Sequence, residues 1–368
     1  MIYADNAATT QLDMDAFESM RPFLLQSYAN ASQPYSFSRD ARNALKNARQ
    51  QIAKCIGADP EEIYFTSCGT ESDNWAIKAG TDRGKRIITS SIEHHAILNS
   101  CKMMEQQGTH VSYLPVNRDG EVVPGTLESA IDSDTGLVSI MFANNEIGTL
   151  QSVDELANIA HQHQALFHTD AVQAVGHLEI DVHQLNVDML SASAHKFNGP
   201  KGVGFLYVKK GTKMYSYMNG GAQERGMRAG TENIASIVAM AVALEKNCRD
   251  LEENKKHLYN MEERLVHRID EAGIEYLRNG AEKHVPGNIS LSFKGKEGEM
   301  ILHRMDLKGI CISTGSACDS KNTEISHVIK AIGIPEEYAT GTIRISLGKG
   351  NTMEEIDAIA DVLISILQ

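Results

Sequence analysis

The chain lacks several signatures that would each have named a function class. None of its six cysteines forms a CxxC pair, which removes the zinc-ribbon and thioredoxin-like readings. No apolar run approaches the roughly 20 residues that span a bilayer, so no membrane partner is expected. Residues 1–6 lack the basic-then-apolar pattern of a secretory leader, and a cytoplasmic location is the default expectation. Basic charge is in short supply. With 35 Lys and Arg against 48 Asp and Glu the formal charge is -13, which argues against direct nucleic-acid binding. There is no GxxxxGK[ST] phosphate loop, no low-complexity tract and no internal repeat.

What is present is a chain of 368 residues with 42% hydrophobic content, enough for a large core divided between two domains. Helical periodicity marks 14–26, 39–56, 71–78, 96–107, 153–163, 297–305 and 353–367, with one long helix running from 232 into the 260s. Short apolar runs suited to buried strands lie between them at 63–65, 86–88, 110–113, 137–142, 165–170, 189–196 and 203–208. Strand and helix alternate from about 60 to 210. The expected fold class is therefore α/β, a mostly parallel sheet with helices on both faces, followed by a smaller α/β region. The large domain is placed at 13–250, and the small domain at 1–12 with 251–368.

The most informative stretch runs from Asp170 to Lys196. An aspartate closes one apolar run and a lysine closes the next, and the gap between them fits a strand, a crossover and a neighbouring strand. That arrangement sets a carboxylate and an amine at one sheet edge, where ligands of such sheets sit. A pyridine aldehyde cofactor needs this pair, a lysine for the Schiff base and an acid for the ring nitrogen. Taken singly, the lysine reads as a solvated strand end and the aspartate as a cap or turn residue. The signal lies in the ensemble. Gln173 stands beside Asp170, and Ser193 and His195 lead into Lys196.

Other candidates fall at the same edge. Gly69 and Thr70 enter a helix and offer amides and a hydroxyl to a phosphate, although Thr70 also reads as a plain N-cap. Residues 219–231 form a polar glycine-rich stretch ending at Thr231, either an anion-binding loop or a surface loop. His94 follows a strand, where its ring could stack on a pyridine and shuttle protons, or be structural. Arg344 lies between apolar residues of a C-terminal strand and needs a partner, either a substrate carboxylate or an internal salt bridge. Cys55, Cys101 and Cys248 lie in helical patterns as small buried residues. Cys318 differs, standing in a small polar segment where a loop thiol could travel to a bound substrate.

Together these motifs resemble the cysteine desulfurases of the NifS/IscS type, class V aminotransferases within the fold-type I pyridoxal-phosphate enzymes. The resemblance runs from Tyr3-Ala4-Asp5-Asn6 to Arg344-Ile345-Ser346-Leu347-Gly348. It passes through Gly69-Thr70-Glu71-Ser72-Asp73-Asn74, Glu93-His94, Asn144-Asn145, His168-Thr169-Asp170-Ala171-Val172-Gln173, His195-Lys196, Arg228-Ala229-Gly230-Thr231 and Ser313-Thr314-Gly315-Ser316-Ala317-Cys318. It implies that Lys196 carries pyridoxal 5'-phosphate and later acts as a base. Asp170 pairs with the ring nitrogen, and Gln173 bonds the ring hydroxyl. Gly69, Thr70, Ser193 and His195 hold the phosphate, joined by Thr231 from the partner of a homodimer. His94 stacks on the ring, and Asn145 and Arg344 orient substrate or cofactor. Cys318 accepts sulfur from L-cysteine as a persulfide, leaving L-alanine. The resemblance supplies no metal ligands beyond transient ligation of an iron–sulfur cluster by Cys318.

The chain departs from the family pattern at Tyr35, where histidine is common, at Cys68, where a small residue is usual, and at Ile325, where proline is usual. Expected partners are the cysteine substrate and a protein sulfur acceptor such as an iron–sulfur scaffold or a tRNA thiolation enzyme. Two alternatives stand beside this reading. One is a selenocysteine lyase or aminotransferase of the same family. The other is a non-catalytic sulfur-assembly scaffold or sensing module, which would have no use for the Asp170–Lys196 pair.

Overall fold

The computed structural model describes residues 1–81, 86–314 and 325–368. Its centre is a seven-stranded sheet. In spatial order the strands are Ile63–Thr66, Gly204–Val208, Met189–Ser193, Leu166–Asp170, Thr135–Ser139, Arg86–Ser90 and His110–Leu114. All neighbours pair in parallel except Gly204–Val208, which runs antiparallel to both strands it touches. The expected α/β class and mostly parallel sheet are what the structure shows. Thr135–Ser139, Leu166–Asp170, Met189–Ser193 and Gly204–Val208 are buried at every position. Burial on both faces is why they read as continuous apolar runs without alternation.

Leu166–Asp170 and Met189–Ser193 are adjacent and parallel, in the register Asp170 opposite Ser191. Their carboxyl ends therefore open at the same edge. The helix Gly69–Thr81 starts at that edge and packs across the sheet. Gly80 on this helix leaves no room for a side chain, since an added Cβ would lie 2.3 Å from Leu137 Cβ.

The expected long helix from 232 is two helices, Ile234–Arg249 and Leu251–Glu271. Asp250 separates them. It leaves helical geometry at φ -95°, ψ 14°, with its N–H still bonded to the Lys246 carbonyl. Periodicity survives such a break because one residue of offset rotates the apolar stripe by only about a quarter turn.

Past Asp250 the chain builds a separate apolar cluster. It includes Leu258, Met261, Leu265, Ile289, Leu291, Ile343, Ile345, Ile359 and Leu363, around the antiparallel sheet of Tyr276–Asn279, Asn288–Phe293 and Thr342–Ser346. Ala4 from the chain start belongs to this cluster. Ile2–Tyr3 pairs with Ile310–Cys311, and Asp5 bridges to Ser346. A further cluster joins Ile92, Met141 and Ile147 to Val328, Ile329 and Ile332, so apolar contact links the two halves beside the sheet edge. Among the described residues, no helix is long and apolar enough to cross a membrane.

Candidate active site

A cavity of about 240 Å³ opens at the carboxyl edge of the sheet. Gly69, Thr70, His94, Asn145, Asp170, Gln173, Ser193, His195, Lys196 and Arg344 all line it. The strand ends bring Asp170 and Lys196 to this one space, as the strand–crossover–strand spacing required. Thr231 does not line it. It faces a neighbouring cavity with Ser67, Arg228 and Glu232. Cys318 lies outside the described residues.

Lys196 Nζ donates to the carbonyls of Ala7 at 2.6 Å and Ala8 at 2.8 Å. Gln173 Nε2 donates to the same Ala7 carbonyl at 3.0 Å. The chain start thus lies across the cavity floor, held further by Thr10 N on His195 O at 2.9 Å. His177 takes part behind Lys196, with Nε2 at 2.8 Å from the Lys196 carbonyl.

Asp170 is buried, and its Oδ1 accepts from Val172 N at 2.9 Å. Desolvation raises its pKa, opposed by the charges of His94 and Lys196. His94 caps the helix His95–Gln106, with Nδ1 accepting from Ala96 N at 3.1 Å. Burial lowers the His94 pKa and favours the neutral ring. Burial also brings His195 down to about 4, helped by Lys196, and its Nδ1 lies 3.2 Å from Thr9 Oγ1.

Residues 66–72, around the expected phosphate cup, are held by side-chain hydrogen bonds. Thr66 and Ser72 hydroxyls bond each other at 2.8 Å, and Ser72 donates to Phe205 O at 3.1 Å, tying the cup to the sheet. Glu71 accepts from Ser67 N at 2.8 Å and pairs with Arg228 at 2.7 Å. The glycine-rich stretch is therefore clasped to the outside of the cup through Arg228. The Arg228 and Ser67 bonds outweigh burial and lower the Glu71 pKa.

Arg344 was open between substrate ligand and internal salt bridge. The structure pairs its Nη2 with Asp5 Oδ1 at 2.7 Å, and Nη1 donates to Asn145 O at 2.9 Å. Its buried Nε has no hydrogen-bond partner among the described residues, and the side chain still borders the cavity. Cys55 and Cys248 are half-buried, unlike Cys101, which is buried as expected.

Four neighbours escaped the sequence reading as site residues. His95 lines the cavity beside His94. The Ala7 and Ala8 carbonyls carry no side-chain signal at all. Asp73 lies four residues after Gly69, a spacing that puts both on one helix face and would have flagged it.

The arrangement fits a phosphorylated pyridine aldehyde. Ser193 Oγ is buried with no hydrogen-bond partner among the described residues, at the cup beside Gly69 and Thr70. Desolvation leaves the Asp170 pKa raised, and a protonated ring nitrogen would favour its ionised form. An amine stands in the same cavity. Fold and site together define a pyridoxal-phosphate transferase of fold-type I.

Comparison with known proteins narrows the class. The model of the aminotransferase class-V family matches residues 2–359, and the chain belongs to that family. It is 46% identical over 371 residues to cysteine desulfurase IscS of Methanosarcina thermophila, covering 100% of this chain and 92% of that protein. The solved structure of a NifS-like protein superposes with a TM-score of 0.94 at 38% identity, covering 100% of this chain and 99% of the other. SspA in complex with cysteine superposes with a TM-score of 0.83 at 34% identity, over 96% of this chain and 100% of that one.

Proposed function

We propose that this cavity is where the chain works as a cysteine desulfurase, converting L-cysteine to L-alanine and passing the sulfur to Cys318 as a persulfide. The observation that carries the reading is the meeting of Lys196, Asp170 and the unpartnered Ser193 hydroxyl in one cavity, within a full-length similarity to cysteine desulfurases. Pyridoxal 5'-phosphate, when bound, supplies an electron sink for the charge left at the substrate's α carbon.

The chain's own residues do the rest. Gly69, Thr70, Ser193 and His195 would hold the phosphate, with Thr231 reaching the partner's cavity in a homodimer. Asp170 would face the ring nitrogen, Gln173 the ring hydroxyl and His94 the ring face. Lys196, anchored on the Ala7 and Ala8 carbonyls, changes hydrogen-bond partner when it engages a ligand, and its amine then takes the substrate's α proton. His94, neutral by burial, is a base suited to a thiol proton. Arg344, fixed by Asp5, and Asn145 border the space for the substrate carboxylate. The outer sulfur of the Cys318 persulfide passes to a thiol of a protein acceptor, an iron–sulfur scaffold or a thiolation enzyme, in the cytoplasm, and Cys318 returns to the thiol. The division into a large unit at 13–250 and a small unit at 1–12 with 251–368 accords with the two apolar clusters.

Mass spectrometry after incubation with cysteine tests this. The expected result is one added sulfur on Cys318, absent in Cys318→Ala, together with loss of alanine production in that variant. Alanine production that persists in Cys318→Ala would sink the persulfide role and favour the selenocysteine lyase reading, whereas turnover of cysteine to its keto acid would favour the aminotransferase.

A further inference from the structure

Behind Asp170 stands a second acid that the reaction, as described, does not use. Asp73, on the helix Gly69–Thr81, is 1% exposed. One of its carboxylate oxygens, one of Asp170's and one ring nitrogen of His94 lie within 4.8 Å of one another. Asp73 Oδ1 has no hydrogen-bond partner among the described residues.

The surroundings leave Asp73 without a counter-charge. The nearest basic group, His168 Nε2, is 3.8 Å away, but both ring nitrogens of His168 are engaged at 2.9 Å, with Ser139 and with Ser191. Burial drives that ring's pKa down to about 3, so it is neutral. The other groups facing Asp73 are Glu93 and Cys68, which add negative charge when ionised, and Ser191, whose hydroxyl can donate. Lys196 and His94 bear on Asp170.

Two carboxyl groups this close in a dry site resist being ionised together, so the pair favours keeping one proton. Asp170 is the acid that must stay charged to oppose a protonated ring nitrogen. We propose that Asp73 is a positioning residue: a neutral carboxylic acid that keeps the proton of the pair and turns it toward Asp170, fixing the anion that grips the cofactor. This inference rests on the assignment of Asp170 to the ring nitrogen. A protonated acid is itself a donor, which suits a buried oxygen that has no hydrogen-bond partner among the described residues. The direction of the Asp73 pKa, well above the usual carboxylate range through burial and the Asp170 charge, agrees.

Infrared difference spectroscopy on the full-length holoenzyme near neutral pH tests the proton directly. The spectrum of wild type minus Asp73→Asn is expected to show loss of a protonated-acid carbonyl band. Loss from the carboxylate bands instead overturns the proposal. Cofactor titration followed by visible absorbance gives a second readout. Asp73→Asn keeps a neutral donor and is expected to bind as wild type does. Asp73→Leu removes the donor to an anion and is expected to bind about ten- to a hundredfold more weakly. Equal binding by the two variants overturns the proposal. Should the leucine variant not fold, the infrared difference decides alone. Asp170→Asn examines the underlying assignment separately, because it weakens cofactor binding whatever proton Asp73 holds.

Discussion

Lys196 and Asp170 were legible because each ends an apolar run, and the sheet rule converts two strand ends into one edge. Replacing Lys196 by Ala should leave the fold intact, abolish the shifted visible band on cofactor addition and lower desulfuration by about 10³-fold or more. Absorbance spectra with and without added cofactor, followed by alanine assay, check this. Less legible were the groups whose part depends on burial. Glu93 appeared only as the neighbour of His94, yet it is buried, with Oε1 accepting from Ser90 Oγ and from Met141 N at 3.0 Å. Burial pushes its pKa up to about 8. An acid whose folded pKa exceeds its unfolded value near 4.5 holds its proton better when folded. Stability therefore falls as pH rises between those two values, by up to about 1.4 kcal/mol per pH unit for one such group. Glu93→Gln should flatten this fall, and urea melts of cofactor-free protein at pH 5 and pH 8 would show it. Melts with the same pH slope in both proteins would remove Glu93 as the cause.

At the scale of elements, strands and helices were read from apolar pattern, and their contacts were not. The sequence shows Gly204 only as one residue of the apolar run 203–208. In the structure an added Cβ there would lie 2.5 Å from Ala192 O and 3.1 Å from the carbonyl carbon of Cys68. The strand Gly204–Val208 thus presses on the backbone of the phosphate cup, and only glycine permits that approach. Gly204→Ala should shift the cup, weakening cofactor binding about tenfold or more while costing about 1–3 kcal/mol of stability. Cofactor titration and chemical denaturation measure the two effects separately. The glycine-rich stretch before the helix Ile234–Arg249 was legible as polar and turn-rich. Its attachment was not, because it is made by pairs far apart in sequence, Arg228 with Glu71 and Glu224 with Arg49. The break at Asp250 was hidden because the apolar stripe resumes about a quarter turn away, close enough for the pattern to run on along the sequence.

For the molecule as a whole, the chain start decides how the halves hold the cavity. Tyr3-Ala4-Asp5-Asn6-Ala7-Ala8 reads as a polar-to-small run with no pattern, yet it pairs with Ile310–Cys311 and Ser346 and then lines the cavity. Its anchor is the ion pair of Asp5 with Arg344, where the guanidinium is 2% exposed. Arg344 also donates to the Asn145 carbonyl, so one cation ties the chain start and the strand Thr342–Ser346 to a loop of the cavity wall. Removing one partner leaves the other charge buried and uncompensated, which typically costs about 3–5 kcal/mol. Asp5→Ala and Arg344→Ala should each lose about that much in urea unfolding. The double variant should lose less than the sum, because no charge is then stranded. Additive losses would mean that the two side chains act independently and that the clasp is not what seats the chain start. If the clasp does seat it, Asp5→Ala should also weaken cofactor retention, although Asp5 itself is not among the residues bordering the cavity. Dialysis of the holoenzyme against cofactor-free buffer would show that loss as faster bleaching of the visible band.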